Sequence, residues 1–307
     1  MQSIVECYKK VSKYYFKFIN LQETKINKFK NKSKMLKSYL IPICFWIVKK
    51  SNKKSPLIIG LAGGQGTGKT TIASIISLIL KKYFKLKVFK ISIDDFYKTR
   101  NERKKISKSI HPLLMIRGVP GTHDYKIIYE FFKKIKNKKI AKFRLPKFDK
   151  SKDERYNKKF WYKIDSKPDV IIFEGWCVGA KSQKNSKLIK SINSLEKISD
   201  QNFVWRKYVN LQLKKNYKNL FKQIDEIIYL KANNFKILQK WRIKQEKVLW
   251  LKSKNKRSLR IMNRSDIINF MQTYQRITQN MFKDAPKYAS IVIKLNSNHQ
   301  INSIKFK

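Results

Sequence analysis

The chain alternates short apolar runs with longer segments whose apolar residues recur at helical spacing. Short apolar runs bounded by polar or glycine-rich stretches are typical of buried strands. The predicted strands are residues 57–62, 87–93, 169–175, 227–230 and 289–295. The main predicted helices are residues 71–80, 125–135, 202–223, 233–251 and 265–281, the last with Ser265 as its N-cap. Strands that alternate with helices predict an α/β fold with a doubly wound, mainly parallel five-stranded sheet and helices on both faces.

The segment before the first predicted strand has a different character. Residues 1–50 are basic and rich in aromatic side chains, and we predict a helical N-terminal extension that caps the core. Its apolar run from Tyr39 to Val48 contains Pro42 and is too short to span a bilayer, so we expect a docked helix or turn and no membrane partner. Within the second predicted domain, residues 51–307, the segments 140–149 and 160–164 are expected to form the two arms of a hairpin.

A glycine-rich stretch joins the first predicted strand to the first helix of this domain. It fits the phosphate-binding P-loop pattern G-x-x-x-x-G-K-[ST], and the order strand, glycine loop, helix is the one in which a helix N-terminus meets an anion. Glycines allow positive φ and bring backbone N–H groups close to phosphates. The predicted nucleotide-binding residues are Gly63, Gly64, Gln65, Gly66, Thr67, Gly68, Lys69, Thr70 and Thr71. Lys69 would reach the β- and γ-phosphates of ATP, and the Thr70 hydroxyl would bind Mg²⁺.

Acidic residues follow two of the predicted strands. Asp94 and Asp95 come directly after the second strand, and Glu174 ends the third. The carboxyl ends of parallel strands are where α/β proteins bind ligands, so these carboxylates are expected beside the P-loop.

The net charge and the cysteines limit the possible partners. A formal charge of +52 suggests either a polyanionic partner or a composition bias that spreads lysines over every exposed face. We favour composition bias and expect no specific nucleic-acid partner, because the lysines form no single tail and no base-stacking motif is present. The three cysteines lie far apart, which indicates neither a disulfide framework nor a zinc site and predicts a cytoplasmic location.

Six motifs, in this order, give the chain its family resemblance: GGQGTGKTT, SIDDFY, RGVPGTHD, LPKFDKS, IFEGWCVG and WRIKQE. Together they resemble the D-glycerate 3-kinase of plants and cyanobacteria, a P-loop kinase similar in fold to uridine kinase, phosphoribulokinase and pantothenate kinase. The resemblance spans about residues 56–300 and implies the three-layer P-loop NTPase fold, with a lid-like helix at about 233–252. The chain departs from the family in Lys152, Asp153 and Glu154, where a glycine-containing segment is usual.

The resemblance assigns a role to each candidate residue. It implies that Asp94 is the base that takes the proton of the acceptor hydroxyl, with Asp95 as the alternative, and that Glu174 helps to bind Mg²⁺. Arg242 on the long basic helix would be a lid arginine that reaches the transferring phosphate, or else a residue on a solvated helix face. The residues implied in acceptor binding are Asp95, Tyr97, Arg117, His123, Asp124 and Arg155.

The implied acceptor is small and carries a carboxylate. Arginine grips a carboxylate with two parallel hydrogen bonds, which makes Arg117 and Arg155 the candidates for this contact, although either could form a structural ion pair instead. His123 and Asp124 would then bind hydroxyls. The expected reaction is transfer from ATP, with Mg²⁺, to the primary hydroxyl of D-glycerate; the alternatives are a nucleoside or pantothenate-like acceptor and a nucleic-acid-linked NTPase.

Overall fold

The computed structural model describes residues 3–51, 55–137, 143–252 and 262–307. In this part of the chain the strands are β1 (Leu57–Gly63), β2 (Val88–Ser92), β3 (Phe143–Leu145), β4 (Phe148–Asp149), β5 (Glu154–Arg155), β6 (Tyr162–Ile164), β7 (Val170–Gly175), β8 (Glu226–Lys231), β9 (Ile291–Leu295) and β10 (Ile301–Phe306). The α-helices are α1 (Ile4–Gln22), α2 (Lys32–Lys34), α3 (Ile41–Lys50), α4 (Lys69–Lys82), α5 (Arg100–Ser109), α6 (Tyr125–Lys136), α7 (Ser186–Ile189), α8 (Ser194–Ser199), α9 (Val204–Gln212), α10 (Lys218–Phe221), α11 (Phe235–Lys252) and α12 (Arg264–Tyr288).

A central sheet carries the fold, with strand order β10-β9-β8-β1-β7-β2. The five strands from β9 to β2 are parallel, as predicted, and β1 lies between β7 and β8. Every residue of β1 and β7 is buried, which is why both have continuous apolar runs in the sequence. Strand β10 was not predicted from the sequence; it is an edge strand that pairs antiparallel with β9 and is only partly buried.

Two apolar clusters cover the two faces of the sheet and confirm the three-layer α/β architecture. One cluster joins α1, α3, α4 and α11 to the first face, and the other joins α6 and α9 to the second. The long helix α12 contributes to both, with Ile267 and Met271 in the first and Ile277 and Met281 in the second. None of the helices in the described ranges combines the length and the apolar character that a bilayer crossing requires.

The N-terminal segment is helical, as predicted, and packs on the P-loop helix α4. The α1 residues Cys7, Val11, Tyr15 and Ile19 are four positions apart, lie on one face and are completely buried. Pro42 is the second residue of α3, directly after a π-helical turn over Met35–Leu40, so its missing N–H falls where the helical hydrogen-bond pattern changes. The division into an extension of residues 1–50 and a domain of residues 51–307 stays a prediction.

A small antiparallel hairpin lies beside β2. Strands β3 and β6 pair from Phe143↔Ile164 to Leu145↔Tyr162, which confirms the predicted hairpin over these residues. The first part of the predicted arm, residues 138–142, lies outside the described residues. Between β3 and β6 the shorter pair β4–β5 closes a loop over residues 150–153.

The predicted start of the last long helix was wrong by two residues. Asn263, not Ser265, is the N-cap of α12, because its backbone is extended and its side-chain oxygen accepts a hydrogen bond from the Asp266 N–H at 2.9 Å. The Asp266 carboxylate accepts from the Asn263 N–H in return, at 3.1 Å, so the two residues form a capping box. The helix also runs on beyond the predicted Met281 to Tyr288.

Candidate active site

The glycine loop has the geometry of an anion site. Gly66 and Gly68 have φ values of 77° and 84°, which glycine adopts without the strain that a Cβ would cause. Gly68 is the N-cap of α4, which begins at Lys69 and places Thr70 and Thr71 in its first turn. The first N–H groups of a helix have no intrahelical partner, and they face the loop together with the positive end of the helix dipole. This geometry is compatible with the predicted binding of a phosphate chain, which stays a prediction.

Two side chains of this loop donate hydrogen bonds to its own backbone. The Thr67 hydroxyl donates to the Gly64 carbonyl at 2.8 Å, and the Lys69 ammonium donates to the same carbonyl at 3.0 Å. Burial lowers the pKa of Lys69, against the opposing effect of the Glu174 and Asp94 carboxylates. Within the described residues the buried Oε1 of Gln65 has no hydrogen-bond partner. A phosphate chain bound in the loop would add negative charge beside the Lys69 ammonium.

Thr70 and Glu174 form the candidate metal pair. Glu174 lies in β7 beside Leu61 of β1, and its Oε1 accepts a hydrogen bond from the Thr70 hydroxyl at 2.8 Å. Across the described ranges there is no group of three or more His, Cys, Asp or Glu residues that could hold a metal ion by itself. This donor set fits Mg²⁺, which kinases bind through one or two protein oxygens together with phosphate oxygens and water.

Asp94 lies in the short 3₁₀ helix that follows β2, next to the end of β7. Its Oδ1 accepts from the Tyr97 hydroxyl at 2.8 Å, and its Oδ2 accepts from the Lys150 ammonium at 2.5 Å. Burial by itself would raise the pKa of Asp94. The positive charge of Lys150 and the hydrogen bonds from Lys150 and Tyr97 outweigh it and hold the pKa of this carboxyl below its ordinary value. Asp94 is thus a well-oriented, ionised carboxylate.

The neighbouring Asp95 is in a different environment. It accepts weak hydrogen bonds from the Phe148 N–H at 3.5 Å and the Tyr162 hydroxyl at 3.4 Å. Burial, and to a smaller extent the charge of Asp94, raise the pKa of Asp95 to about 6. Asp94, by contrast, lies close enough to Lys69 for its negative charge to raise the pKa of that ammonium.

The segment that contains RGVPGTHD returns alongside the residues after β2. The Lys98 N–H donates to the Thr122 carbonyl at 2.8 Å, and the Asp124 N–H donates to the Phe96 carbonyl at 2.7 Å. Tyr97 and His123 form an antiparallel bridge, and their rings stack with centroids 4.6 Å apart. The segment therefore lies against the turn that carries Asp94 and Tyr97.

His123 itself lies beneath Tyr97 and not at an open surface. The ring is fully buried, and its Nδ1 lies 2.7 Å from the Tyr217 hydroxyl. Burial lowers the pKa of His123 to about 3, so the ring is neutral. The sequence assigned His123 to a substrate hydroxyl; in the structure it supports the Tyr97 ring that orients Asp94.

The two predicted carboxylate-binding arginines flank the same loops. Arg117 forms an ion pair with Asp153 and donates from Nη2 to the Lys150 carbonyl at 3.1 Å. Arg155 donates to the Tyr97 carbonyl at 2.7 Å and to Asp124 Oδ2 at 3.2 Å. Both arginines therefore hold structural contacts, the alternative that the sequence left open, and the side chain of Arg117 keeps 27% of its surface exposed.

Helix α11 lies directly on the glycine loop. A Cβ at Gly64 would approach the Leu238 side chain to 2.3 Å, and one at Gly66 would approach the Arg242 backbone nitrogen to 3.2 Å. Arg242 pairs with Glu246 one turn along the helix, and its side chain is only 15% exposed. It is therefore not on a solvated helix face. Trp241 is buried, as expected of a packing residue, and stacks on His299 at 4.3 Å between centroids.

Two basic residues of this region were missed from the sequence. Lys150 lies within the LPKFDKS motif, but nothing in the sequence indicates that its ammonium contacts Asp94, 56 residues earlier. Arg103 is 1% exposed and binds Asp153 together with the carbonyls of Lys98 and Met115. Its helix α5 was also missed, although Thr99 and Glu102 form a capping box whose T-x-x-E pattern is visible in the sequence.

Comparison with known proteins identifies the relatives of this arrangement. A model described as "Phosphoribulokinase / Uridine kinase family" matches residues 58–198. The chain is 30% identical over 227 residues to "Uncharacterized kinase mug58" of Schizosaccharomyces pombe, a match that covers 71% of this chain and 78% of that protein. It is 27% identical over 226 residues to "D-glycerate 3-kinase, chloroplastic" of Arabidopsis thaliana, covering 68% of this chain and 47% of that enzyme.

A solved structure shows the same fold. The D-glycerate 3-kinase from Cryptococcus neoformans var. grubii superposes with a TM-score of 0.70 at 22% identity, covering 88% of this chain and 97% of that one. The chain spans about half the length of the Arabidopsis protein but most of the fission-yeast kinase. The P-loop, the strand-end carboxylates and these matches agree. The chain belongs to the glycerate 3-kinase-like P-loop kinases of the phosphoribulokinase/uridine kinase family, and it is an ATP-dependent small-molecule kinase.

Proposed function

We propose that this protein transfers the γ-phosphoryl group of ATP to the primary hydroxyl of D-glycerate, giving 3-phosphoglycerate and ADP. The observation that carries the proposal is the set of groups at one edge of the sheet. There the loop that ends at Lys69 faces Asp94 and Glu174, with Arg117 and Arg155 on the adjoining loops. The curated D-glycerate 3-kinase of Arabidopsis supports the same acceptor.

The loop N–H groups and Lys69 would bind the phosphates of the nucleotide, and residues 63–71 would form the binding segment. Lys69 stays beside the phosphates and neutralises charge that develops on the transferring group. Thr70 and Glu174 would hold Mg²⁺ or its water ligands. The ion would supply positive charge that offsets the negative charge of the nucleotide phosphates.

For the acceptor, the proposal assigns the carboxylate to Arg117 and Arg155. Asp95, Tyr97 and Asp124 would bind its hydroxyls. A carboxylate held at one end of a three-carbon acid leaves the far, primary hydroxyl within reach of the base, while the 2-hydroxyl lies too close to the arginines. Correct orientation of reacting groups can supply about 7–11 kcal/mol of the barrier, so this binding would affect turnover as well as affinity.

For the chemical step, Asp94 is the proposed base. The acceptor oxygen bonds to the γ-phosphorus, its proton passes to Asp94, and the bond to the β–γ bridging oxygen breaks with its electron pair leaving on ADP. The Tyr97 hydrogen bond supports this role because it fixes the direction of the carboxylate. Arg242, on the helix that lies over the glycine loop, is the proposed lid arginine. The cytoplasmic location and the lack of a specific nucleic-acid partner stay predictions.

A nucleoside or pantothenate-like acceptor is the second candidate, because the matching family model includes uridine kinases. The test is an ADP-release assay of purified protein with Mg²⁺–ATP and, separately, D-glycerate, L-glycerate, uridine, pantothenate or nucleic acid. We expect D-glycerate to be the best acceptor and phosphorus NMR to identify 3-phosphoglycerate. The folded Lys69→Ala variant is the matched control and should lose nearly all transfer. A 2-phosphoglycerate product, or turnover with uridine but not with glycerate, would reject the proposal.

A further inference from the structure

The loop between β4 and β5 brings a second ammonium group, beside that of Lys69, to the catalytic edge. Lys150 Nζ lies 2.5 Å from Asp94 Oδ2, and the charges of Glu174 and Asp95 also act on it. With Tyr97 on the other oxygen, both oxygens of the Asp94 carboxylate are already occupied. Each oxygen keeps a second lone pair, but the Lys150 ammonium stabilises the ionised form of Asp94 and so makes this carboxylate a weaker base for the proton of a substrate hydroxyl.

The backbone that carries Lys150 is fixed on both sides. Asp149 accepts hydrogen bonds from the N–H groups of Ser151 at 2.9 Å and Lys152 at 3.2 Å. On the other side Asp153 pairs with the buried Arg103 at 2.9 Å and with Arg117, which in turn donates to the Lys150 carbonyl. The loop therefore holds the Lys150 backbone at a set distance from Asp94.

The side chain of Lys150 is largely exposed to solvent, whereas its backbone is fixed by these contacts. It is 59% exposed, whereas that of Asp94 is 28% exposed. Water therefore solvates the Lys150 ammonium much better than the Asp94 carboxylate, and the pair holds the lysine side chain less firmly than a buried ion pair would. A long, flexible lysine on a fixed backbone can therefore exchange one anionic partner for another at little energetic cost.

We propose that Lys150 is a further catalytic residue, whose ammonium moves from Asp94 to the transferring phosphoryl group when the nucleotide and an attacking oxygen, of the acceptor or of water, are in place. The movement frees Asp94 Oδ2 for the hydroxyl proton and adds a positive charge to the phosphoryl oxygens in the same step. Lys150 stays protonated throughout and exchanges no atoms. The inference rests on the proposed transfer to an alcohol, but it does not depend on which alcohol is the acceptor.

The test compares Lys150→Met and Lys150→Arg with Lys152→Met, a matched control because Lys152 is an exposed lysine in the same loop. Lys150→Met should lower kcat at least about 100-fold, the usual effect of removing one group that stabilises transition-state charge. The KM for ATP should change by less than about threefold. Lys150→Arg should restore a substantial part of kcat because it restores the charge, and Lys152→Met should match the wild type.

Each outcome either supports or contradicts a catalytic role for Lys150. Wild-type kcat in Lys150→Met would overturn the inference. So would equal losses in Lys150→Met and Lys150→Arg together with a lower unfolding temperature, since these indicate a structural role. The slow hydrolysis of ATP by water is measured on the same variants and needs no acceptor. If wild type hydrolyses ATP and Lys150→Met does not, while glycerate is not phosphorylated, then the proposed acceptor is wrong and the role of Lys150 stands.

Discussion

The Thr70 hydroxyl donates a hydrogen bond to Glu174 Oε1 at 2.8 Å, although 104 residues separate the two side chains. The contact joins the first turn of the P-loop helix to the neighbouring strand of the sheet. This hydrogen bond connects the nucleotide loop directly to one of the strand-end carboxylates. The proposed metal role of this pair has a direct test.

Glu174→Gln should lower turnover and raise the Mg²⁺ concentration needed for half-maximal activity. The amide oxygen can still accept the Thr70 hydrogen bond, so the fold keeps this contact while the site loses one negative charge. Mg²⁺ titrations of the kinase activity measure the effect, which we expect to be about tenfold or more. Glu130→Gln, at an exposed position on α6, is the control. An unchanged Mg²⁺ dependence in Glu174→Gln would remove this residue from the metal site.

Arg117→Lys should raise the KM for glycerate by about 10-fold to 100-fold, because a charged hydrogen bond contributes about 1.5–3 kcal/mol. Lysine keeps the positive charge but loses the two parallel donors of the guanidinium. The KM for ATP should stay within about twofold. Arg144→Lys, exposed on β3, is the control for a general effect of the substitution. A parallel rise of both KM values with a lower unfolding temperature would instead assign Arg117 to holding Asp153.

Asp200→Ala should destabilise the fold by about 3–5 kcal/mol, since it leaves the Arg206 guanidinium buried without its anion. Both side chains of this pair are 1% exposed, and Asp200 also accepts from the Trp205 N–H at 2.8 Å. Denaturant unfolding followed by circular dichroism measures the loss. Asp165→Ala, at an exposed position, should change the free energy of unfolding by less than about 0.5 kcal/mol. Equal stabilities for the two variants would contradict the importance of the buried pair.

Asp95→Asn should stabilise the protein at neutral pH but not in acid. Burial raises the pKa of this carboxyl from 3.8 to about 6, so the folded chain binds the proton more tightly than the unfolded chain. Ionised Asp95 therefore destabilises the fold above about pH 6, and this effect disappears as the pH falls to 3.8. The difference in unfolding free energy between the variant and wild type, without substrates, should shrink from pH 7.5 to pH 4.5. A difference that does not vary with pH, as expected for the exposed Asp165→Asn, would be evidence against it.

Local patterns in the sequence were sufficient for much of the fold. The buried strands β1 and β7 have continuous apolar runs, and the glycine loop between β1 and α4 has a recognisable order of residue types. Each of these signals lies within one continuous stretch of sequence. It can therefore be recognised without knowing which other elements pack against that stretch. The edge strand β10 was missed for the opposite reason, because a half-exposed strand has only a weak apolar pattern.

The sequence by itself therefore determined the parallel sheet, the P-loop and the acids at the ends of β2 and β7. The tertiary structure decided which charges meet. With 72 lysines and arginines against 20 acidic residues, each carboxylate has many possible cationic partners, and spacing along the chain does not select one. Long-range packing selects Lys150 for Asp94 and Arg103 for Asp153, and it buries His123 beneath Tyr97. These contacts depend on how loops fold back over the sheet edge, which local hydrophobic periodicity does not encode.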